Sequence, residues 1–239
     1  NHHSPPLSQH SVAFKLPVDF NVYTDYLPKI PQPMDLRTLE GQIKDGSIQS
    51  IGSFMRNLRR ICANCFRYSS EAPTNPLRTD ATKFLESIER EATKVVADMG
   101  VAPPTIPTTN WRECLAVLDK ALNLREGVPD AHAAAGVPDG QAQAAAPQIA
   151  QVFLHPAGYY YGGQLPKDYS KKVPNPMDMG TLVSCLLEGD YQSSADFVRD
   201  FRLIFTNCKR YWKKQQGGKA YIAQADKLSA YVEPLLLGL

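Results

Sequence analysis

Charge of one sign is the first thing this chain lacks. Its 26 Lys and Arg against 24 Asp and Glu leave a formal net charge of +2, too little for a global field that would gather nucleic acid or an anionic membrane. Long apolar runs are missing too: none approaches the ~20 residues of a membrane-spanning helix, and no secretory signal pattern opens the chain. Cysteine is scarce, with Cys62, Cys65, Cys114, Cys185 and Cys208 scattered over 239 residues. That excludes a disulfide scaffold and points to a reducing compartment. No stretch alternates in the manner of a strand, so the expected class is all-α. There is no glycine-rich phosphate loop, and no His stands beside a Ser or Cys nucleophile in a catalytic setting. Neither an enzyme nor a cofactor is expected.

What the chain does hold is a repeat, and a repeat has to be recognised before any other fold argument. Pro31-Gln32-Pro33-Met34-Asp35-Leu36 returns 143 positions later as Pro174-Asn175-Pro176-Met177-Asp178-Met179. The same offset carries Asp25-Tyr26 onto Asp168-Tyr169, and Asn64-Cys65-Phe66-Arg67-Tyr68 onto Asn207-Cys208-Lys209-Arg210-Tyr211. A unit this long is a whole domain, because solenoid units run ~20–50 residues. The first module is expected over residues 1–100 and the second over 109–239, joined by a stiff Pro103-Pro104…Pro107 linker at 101–108.

Residues 1–11 read as a loose lead-in. A long ordered loop follows, rich in Pro and aromatics up to Pro33. Asp35 stands as a helix N-cap, with Leu36, Leu39 and Ile43 at helical spacing behind it and Gly46 as its terminator. Ser50 opens the next helix, whose apolar face is Phe54, Leu58, Ile61 and Cys65. Ala81, Phe84, Ile88, Ala92 and Val95 mark a third. Trp111, Leu115, Leu118 and Leu122 form a helical stripe that opens the second module; the first shows no such opening helix. Residues 127–148 are rich in Ala, Gly, Gln and Pro, a composition that cannot fill a core, and read as a flexible insertion. Later helices are expected at about Asp178–Leu187, Ser193–Tyr211 and Ala220–Tyr231, with Pro234 closing the last. Cys62-x-x-Cys65 has metal-like spacing but no second Cys or His pair, and Phe205 replaces Cys62 in the repeat; core packing outweighs zinc chemistry. Arg56, Arg59, Arg60 and Arg67 read as a solvated basic face, with contact to nucleic-acid phosphates a minority option. Asn64 and Asn207 are expected to bond loop backbone.

Three separated motifs, in order and twice, resemble the bromodomain family: Phe14-x-x-Pro17-Val18-Asp19, then Asp25-Tyr26 ahead of Pro33-Met34-Asp35-Leu36, then Asn64-Cys65-x-x-Tyr68. The two-copy arrangement is similar to that of kinetoplastid bromodomain factors and, more distantly, of BET proteins. The resemblance implies two left-handed up-and-down four-helix bundles, each with a long ordered loop between its first two helices. It implies a pocket between that loop and the loop joining the last two helices, which receives acetylated lysine of histone tails or other nuclear proteins. It also implies a nuclear location. By this resemblance the first pocket comprises Phe14, Pro17, Val18, Tyr26, Tyr68, Ser69, Asn75 and Leu77; the second comprises Phe153, Pro156, Ala157, Tyr169, Tyr211, Trp212 and Tyr221. The chemistry is coherent: acetylation replaces a cation by a flat amide on an apolar stem, which an apolar slot accepts more readily than an unpaired ammonium.

One departure stands out. The family's acetyl-lysine asparagine directly follows the tyrosine of Asn-Cys-x-x-Tyr, and here those positions are Ser69 and Trp212. Losing one good hydrogen bond costs on the order of 1 kcal/mol. Asn75 is a candidate substitute in the first copy, with Leu77 and Tyr221 at the apolar gatekeeper places. The expectation is weak or atypical binding, more in the first copy than in the second. The rival expectation is a scaffold whose pockets have decayed and which recruits protein partners through its loops.

Overall fold

The computed structural model describes residues 9–98, 110–126 and 147–239. The chain divides into two compact units: Asn1–Thr108 with Val183–Asp190, and Thr109–Leu182 with Tyr191–Leu239. Among the described residues the regular structure is helical, apart from one isolated bridge between Arg125 and Gln148.

The first module runs through a 3-10 helix Gln9–Phe14, a helical turn α1 (Tyr26–Lys29), α2 (Leu36–Lys44), α3 (Ile51–Tyr68), a 3-10 turn Ser69–Glu71 and α4 (Pro76–Asp98). The second opens with α5 (Trp111–Asn123), then a 3-10 helix Ile149–Phe153, turns α6 (Ala157–Tyr160) and α7 (Tyr169–Lys172), and the helices α8 (Met179–Glu188), α9 (Ser194–Trp212) and α10 (Gly218–Leu236). The architecture is all-α helical bundle. Among the described residues the first module has no counterpart of α5.

The repeat is repeated in its hydrogen bonds. Asp35 caps α2 by accepting from Thr38 N (2.9 Å) and Thr38 Oγ1 (2.5 Å). Asp178 caps α8 by accepting from Thr181 N (2.9 Å) and Thr181 Oγ1 (2.6 Å). Each such cap contributes about 1 kcal/mol. Ser50 with Ser53, and Ser193 with Asp196, close reciprocal capping boxes on α3 and α9. Gly46 ends α2 at φ +77°, a conformation that costs glycine little. Asn64 Nδ2 donates to Gln32 O (2.8 Å) and Asn207 Nδ2 to Asn175 O (2.7 Å); each ties the long loop to the helix below it, as expected.

The cores follow the helical stripes. Phe197 and Phe201 are fully buried on α9, and Phe201 stacks on Phe205 at 5.8 Å. Leu115, Leu118 and Leu122 of α5 are buried, as are Phe84, Leu85 and Ile88 of α4 and Ile61, Cys62 and Phe66 of α3. Burial of each large side chain stabilises by roughly 1.5–3 kcal/mol.

Several expectations need correcting. Helix α4 starts at Pro76, a full turn before the Ala81 stripe, because proline at the first helical position gives up only an N–H that has no partner there. Helix α10 runs through Pro234 to Leu236; so near the end, the missing N–H removes little of the ladder. The end of the lead-in is packed rather than loose: Ser11 is fully buried, and His10 Nδ1 lies 2.8 Å from Asp80 Oδ1. Arg67 is buried and Arg59 approaches Glu89 at 3.6 Å, so these two arginines are not a solvated face. The 101–108 linker and residues 127–146 of the flexible insertion lie outside the described residues. At the base of the insertion Glu126 N donates to Pro147 O (3.0 Å), Ile149 N to Leu124 O (3.1 Å), and the buried Gln148 amide to Leu122 O (2.6 Å). Its two ends are therefore pinned together.

Candidate functional site

Each module places its two tyrosines in the same relation. Tyr26 and Tyr68 have ring centroids 5.0 Å apart, tilted by 51°; Tyr169 and Tyr211 are 5.0 Å apart, tilted by 57°. Behind each pair a cysteine thiol reaches the start of the last helix: Cys65 Sγ to Leu77 O and Cys208 Sγ to Tyr221 O, both at 3.5 Å. That contact makes Leu77 and Tyr221 equivalent places. Burial pushes the thiols up, to about 12 for Cys65 and about 11 for Cys208, so both are neutral packing groups at neutral pH.

In the first module an aromatic ring and a charged clasp flank this pair. Tyr26 is buried, with the Phe20 ring at 6.0 Å. The Tyr68 hydroxyl donates to Asp25 Oδ1 (2.8 Å); Lys29 bridges Asp25 (2.8 Å) and Glu71 (2.9 Å), with its ammonium 5.4 Å from the Tyr68 ring. The Lys29 ammonium, then the Tyr68 hydroxyl, hold the Asp25 carboxyl below its ordinary value. Burial, then the Asp25 carboxylate, push the Tyr68 phenol up to about 12. Ser69 is buried; its hydroxyl donates to Cys65 O (2.6 Å) and accepts from Arg78 Nη1 (3.1 Å). Arg78 also donates to Phe66 O (3.0 Å) and lies 4.5 Å from the Phe66 ring centre. Asn75 Oδ1 accepts from Leu77 N (3.0 Å), capping α4. Leu77 and Pro17 are exposed, Val18 is half-buried, and Phe14 turns into the bundle to stack on Phe84 at 5.7 Å.

In the second module the corresponding place is a cavity of about 200 Å³, lined by Phe153, Ala157, Tyr169, Tyr211, Trp212 and Tyr221 of the anticipated set. Pro156 is half-buried and stands outside the lining. Val152, His155, Tyr160, Tyr161, Met177, Asp178, Ile204, Asn207 and Cys208 complete the wall. Of these, Tyr160 and Tyr161 belong to a tyrosine run visible in the sequence, and Met177, Asp178, Asn207 and Cys208 to the repeated motifs. Val152, His155 and Ile204 carry no local signal.

The difference has a source in chain length. Arg37 N donates to Lys15 O (3.1 Å) and Gly180 N to Leu154 O (3.0 Å), which marks Lys15 and Leu154 as equivalent. From Lys15 to Asp25 is four residues shorter than from Leu154 to Asp168. The longer loop contains α6 and two glycines at positive φ, Gly162 (+65°) and Gly163 (+90°). Its Tyr159 packs on His155 at 4.3 Å, not on Tyr169. Tyr169 is half-buried where Tyr26 is buried. Burial, then the Asp178 carboxylate, raise the Tyr169 phenol.

Trp212 stacks face to face on Tyr221, centroids 4.0 Å apart and planes within 8°, and meets Tyr211 edge-on at 5.2 Å. A Cβ on Gly218 would lie 2.2 Å from Trp212 O and 3.2 Å from its Cβ. Only glycine lets the start of α10 approach the end of α9 this closely, and that approach sets the indole against the cavity.

Sequence comparison agrees with this geometry. The family model Bromodomain matches residues 8–83 and 143–226, together more than half of the chain. Bromodomain-containing factor 1 of Candida albicans is 27% identical over 245 residues, which is 84% of this chain and 32% of that protein. Transcription initiation factor TFIID subunit 1 of Drosophila melanogaster is 25% identical over 200 residues, 83% of this chain and 8% of that protein. Among solved structures, the acetylated Rsc4 tandem bromodomain is matched over 95% of this chain and 74% of that one, at 17% identity and a TM-score of 0.42. The chain spans about a third of the length of the first curated relatives it matches. It belongs to the bromodomain family, whose domain it carries twice.

Proposed function

We propose that this chain is a chromatin reader that binds acetylated lysine on histone tails or other nuclear proteins, without catalysis, through atypical pockets. The observation that supports it most is the cavity beside Tyr169 and Tyr211, whose lining combines apolar side chains such as Phe153 and Ile204 with hydroxyl-bearing tyrosines. An acetyl amide seats its stem against the apolar wall and needs a donor for its oxygen. The Tyr169 hydroxyl and the indole N–H of Trp212 fill that role in place of the absent asparagine. Bromodomain relatives that are transcription factors and complex subunits support a nuclear setting.

Titration of the full chain with acetylated and unmodified histone-tail peptides, followed by amide chemical shifts, tests this. Shifts around Tyr169 and Tyr211 with the acetylated forms only are the expected result. Equal response to both forms overturns it.

A second reading has a specific observation in its favour. The Ser69 hydroxyl is committed to Cys65 O and Arg78, and the loop above it exposes Phe20, Val22, Tyr23 and Leu27. In this reading the first module is a docking surface for a protein partner, and only the second pocket responds to acetylation.

A further inference from the structure

The rings that line the second cavity stand at different angles to one another. Tyr169 and Tyr211 are tilted by 57° and Tyr211 and Trp212 by 80°, with Tyr221 backing the indole. Aromatic faces carry negative potential and attract cations, most strongly where several converge and water is displaced. The polar atoms of the wall point the same way. Asn207 is 4% exposed and its Nδ2 is fixed by Asn175 O at 2.7 Å. Its Oδ1, an acceptor, finds no hydrogen-bond partner among the described residues. Asp178, also on the wall, adds a buried carboxylate. A buried acceptor without a donor costs about 1–3 kcal/mol, which a ligand N–H removes. The amide N–H of acetyl-lysine does so too, so the preference for a cation rests on the converging rings and the Asp178 carboxylate.

The cation already nearby is accounted for: Lys172 lies 5.3 Å from the Tyr211 ring, matched by Asp168 at 2.5 Å. The acidic partner offsets its repulsion of an incoming charge.

We propose that the second pocket is an aromatic cage for a partly methylated ammonium, the head group of mono- or dimethyl-lysine, as a second ligand class beside the acetyl amide. The methyl groups meet the faces of Tyr169, Tyr211 and Trp212, and the remaining N–H donates to Asn207 Oδ1. The inference rests on reading this cavity as a pocket for modified lysine. Plain lysine, with three donors and full hydration, loses more on entry than the single orphan acceptor returns.

Trp212 is one of two tryptophans in the chain, so Trp111→Phe leaves it as the only indole reporter. That chain is titrated with short peptides carrying dimethyl-lysine, acetyl-lysine, or a neutral isostere with carbon in place of the ammonium nitrogen. Dimethyl-lysine is expected to change Trp212 emission and to bind roughly 3- to 30-fold tighter than the neutral isostere. In calorimetry on the otherwise native chain, Trp212→Phe should keep most of that affinity and Trp212→Leu should lose at least about fivefold. Equal binding of dimethyl-lysine and the isostere overturns the cage, and so does no binding of dimethyl-lysine. A response to acetyl-lysine alone leaves the acetyl reader standing while the cage falls; a response to dimethyl-lysine alone does the reverse.

Discussion

Tyr26–Tyr68 and Tyr169–Tyr211 are the same pair at the same separation, but Tyr26 is buried beside Phe20 whereas Tyr169 is half-buried on the wall of a cavity. The contrast shows that a bromodomain's scaffold bonds and its pocket vary independently. Caps, boxes and the asparagine-to-loop bonds are duplicated almost atom for atom. The cover is not. Four extra loop residues turn Tyr159 toward His155, whereas the shorter loop lays Phe20 on Tyr26. The residue after the second tyrosine then decides the wall: a small serine sinks beneath Arg78, while a tryptophan too large to sink stacks on Tyr221.

The comparison can be broken most severely at Gly218. Gly218→Ala forces a methyl into Trp212 O and should cost roughly 1–3 kcal/mol, read as a lower melting temperature together with changed Trp212 emission. An unchanged melt would mean that α10 approaches α9 less closely than described. Next comes the asparagine swap. Trp212→Asn should raise affinity for acetylated peptide about tenfold by restoring a carboxamide donor. Ser69→Asn should raise nothing, because that site is enclosed by Cys65 O and Arg78. Equal gains in calorimetry would erase the distinction between the modules. A smaller effect is expected from Tyr169→Phe, about a fivefold loss for acetylated peptide, with none from Tyr26→Phe.

The smallest effect concerns the Asp25 clasp. Its carboxyl is depressed by Lys29, then Tyr68. Its contribution is therefore present above the ordinary aspartate value near 3.8 and is lost as pH falls through the depressed one. Asp25→Asn should flatten the acid limb of the stability profile slightly, since the site is half exposed. An identical limb in both proteins would remove the clasp from the account of the first module.

Much of the scaffold was legible in the residues. Capping and helical spacing are local rules, so Asp35, Ser50, Gly46 and the leucine stripe of α5 could be placed from near neighbours alone. Pro76 misled because proline reads as a breaker when it also starts helices. The helix start at Pro76 also gives Asn75, two places before a helical leucine, a capping role: its carbonyl accepts from Leu77 N. The site was legible only where family motifs mark it. Val152, His155 and Ile204 reach the cavity from outside the repeated motifs, and no spacing rule links them to those motifs.

By itself the sequence determined that there are two all-helical modules, where the helices capped by Asp35, Ser50 and Ser193 begin, and that the usual asparagine is absent from both, because these depend on residue type and short separations. Only the tertiary structure decided which tyrosine of each pair is buried and which segments line the cavity beside Tyr169 and Tyr211. That outcome depends on which distant ring fills a given volume, and packing of this kind is settled by the summed shape of several segments rather than by any one of them.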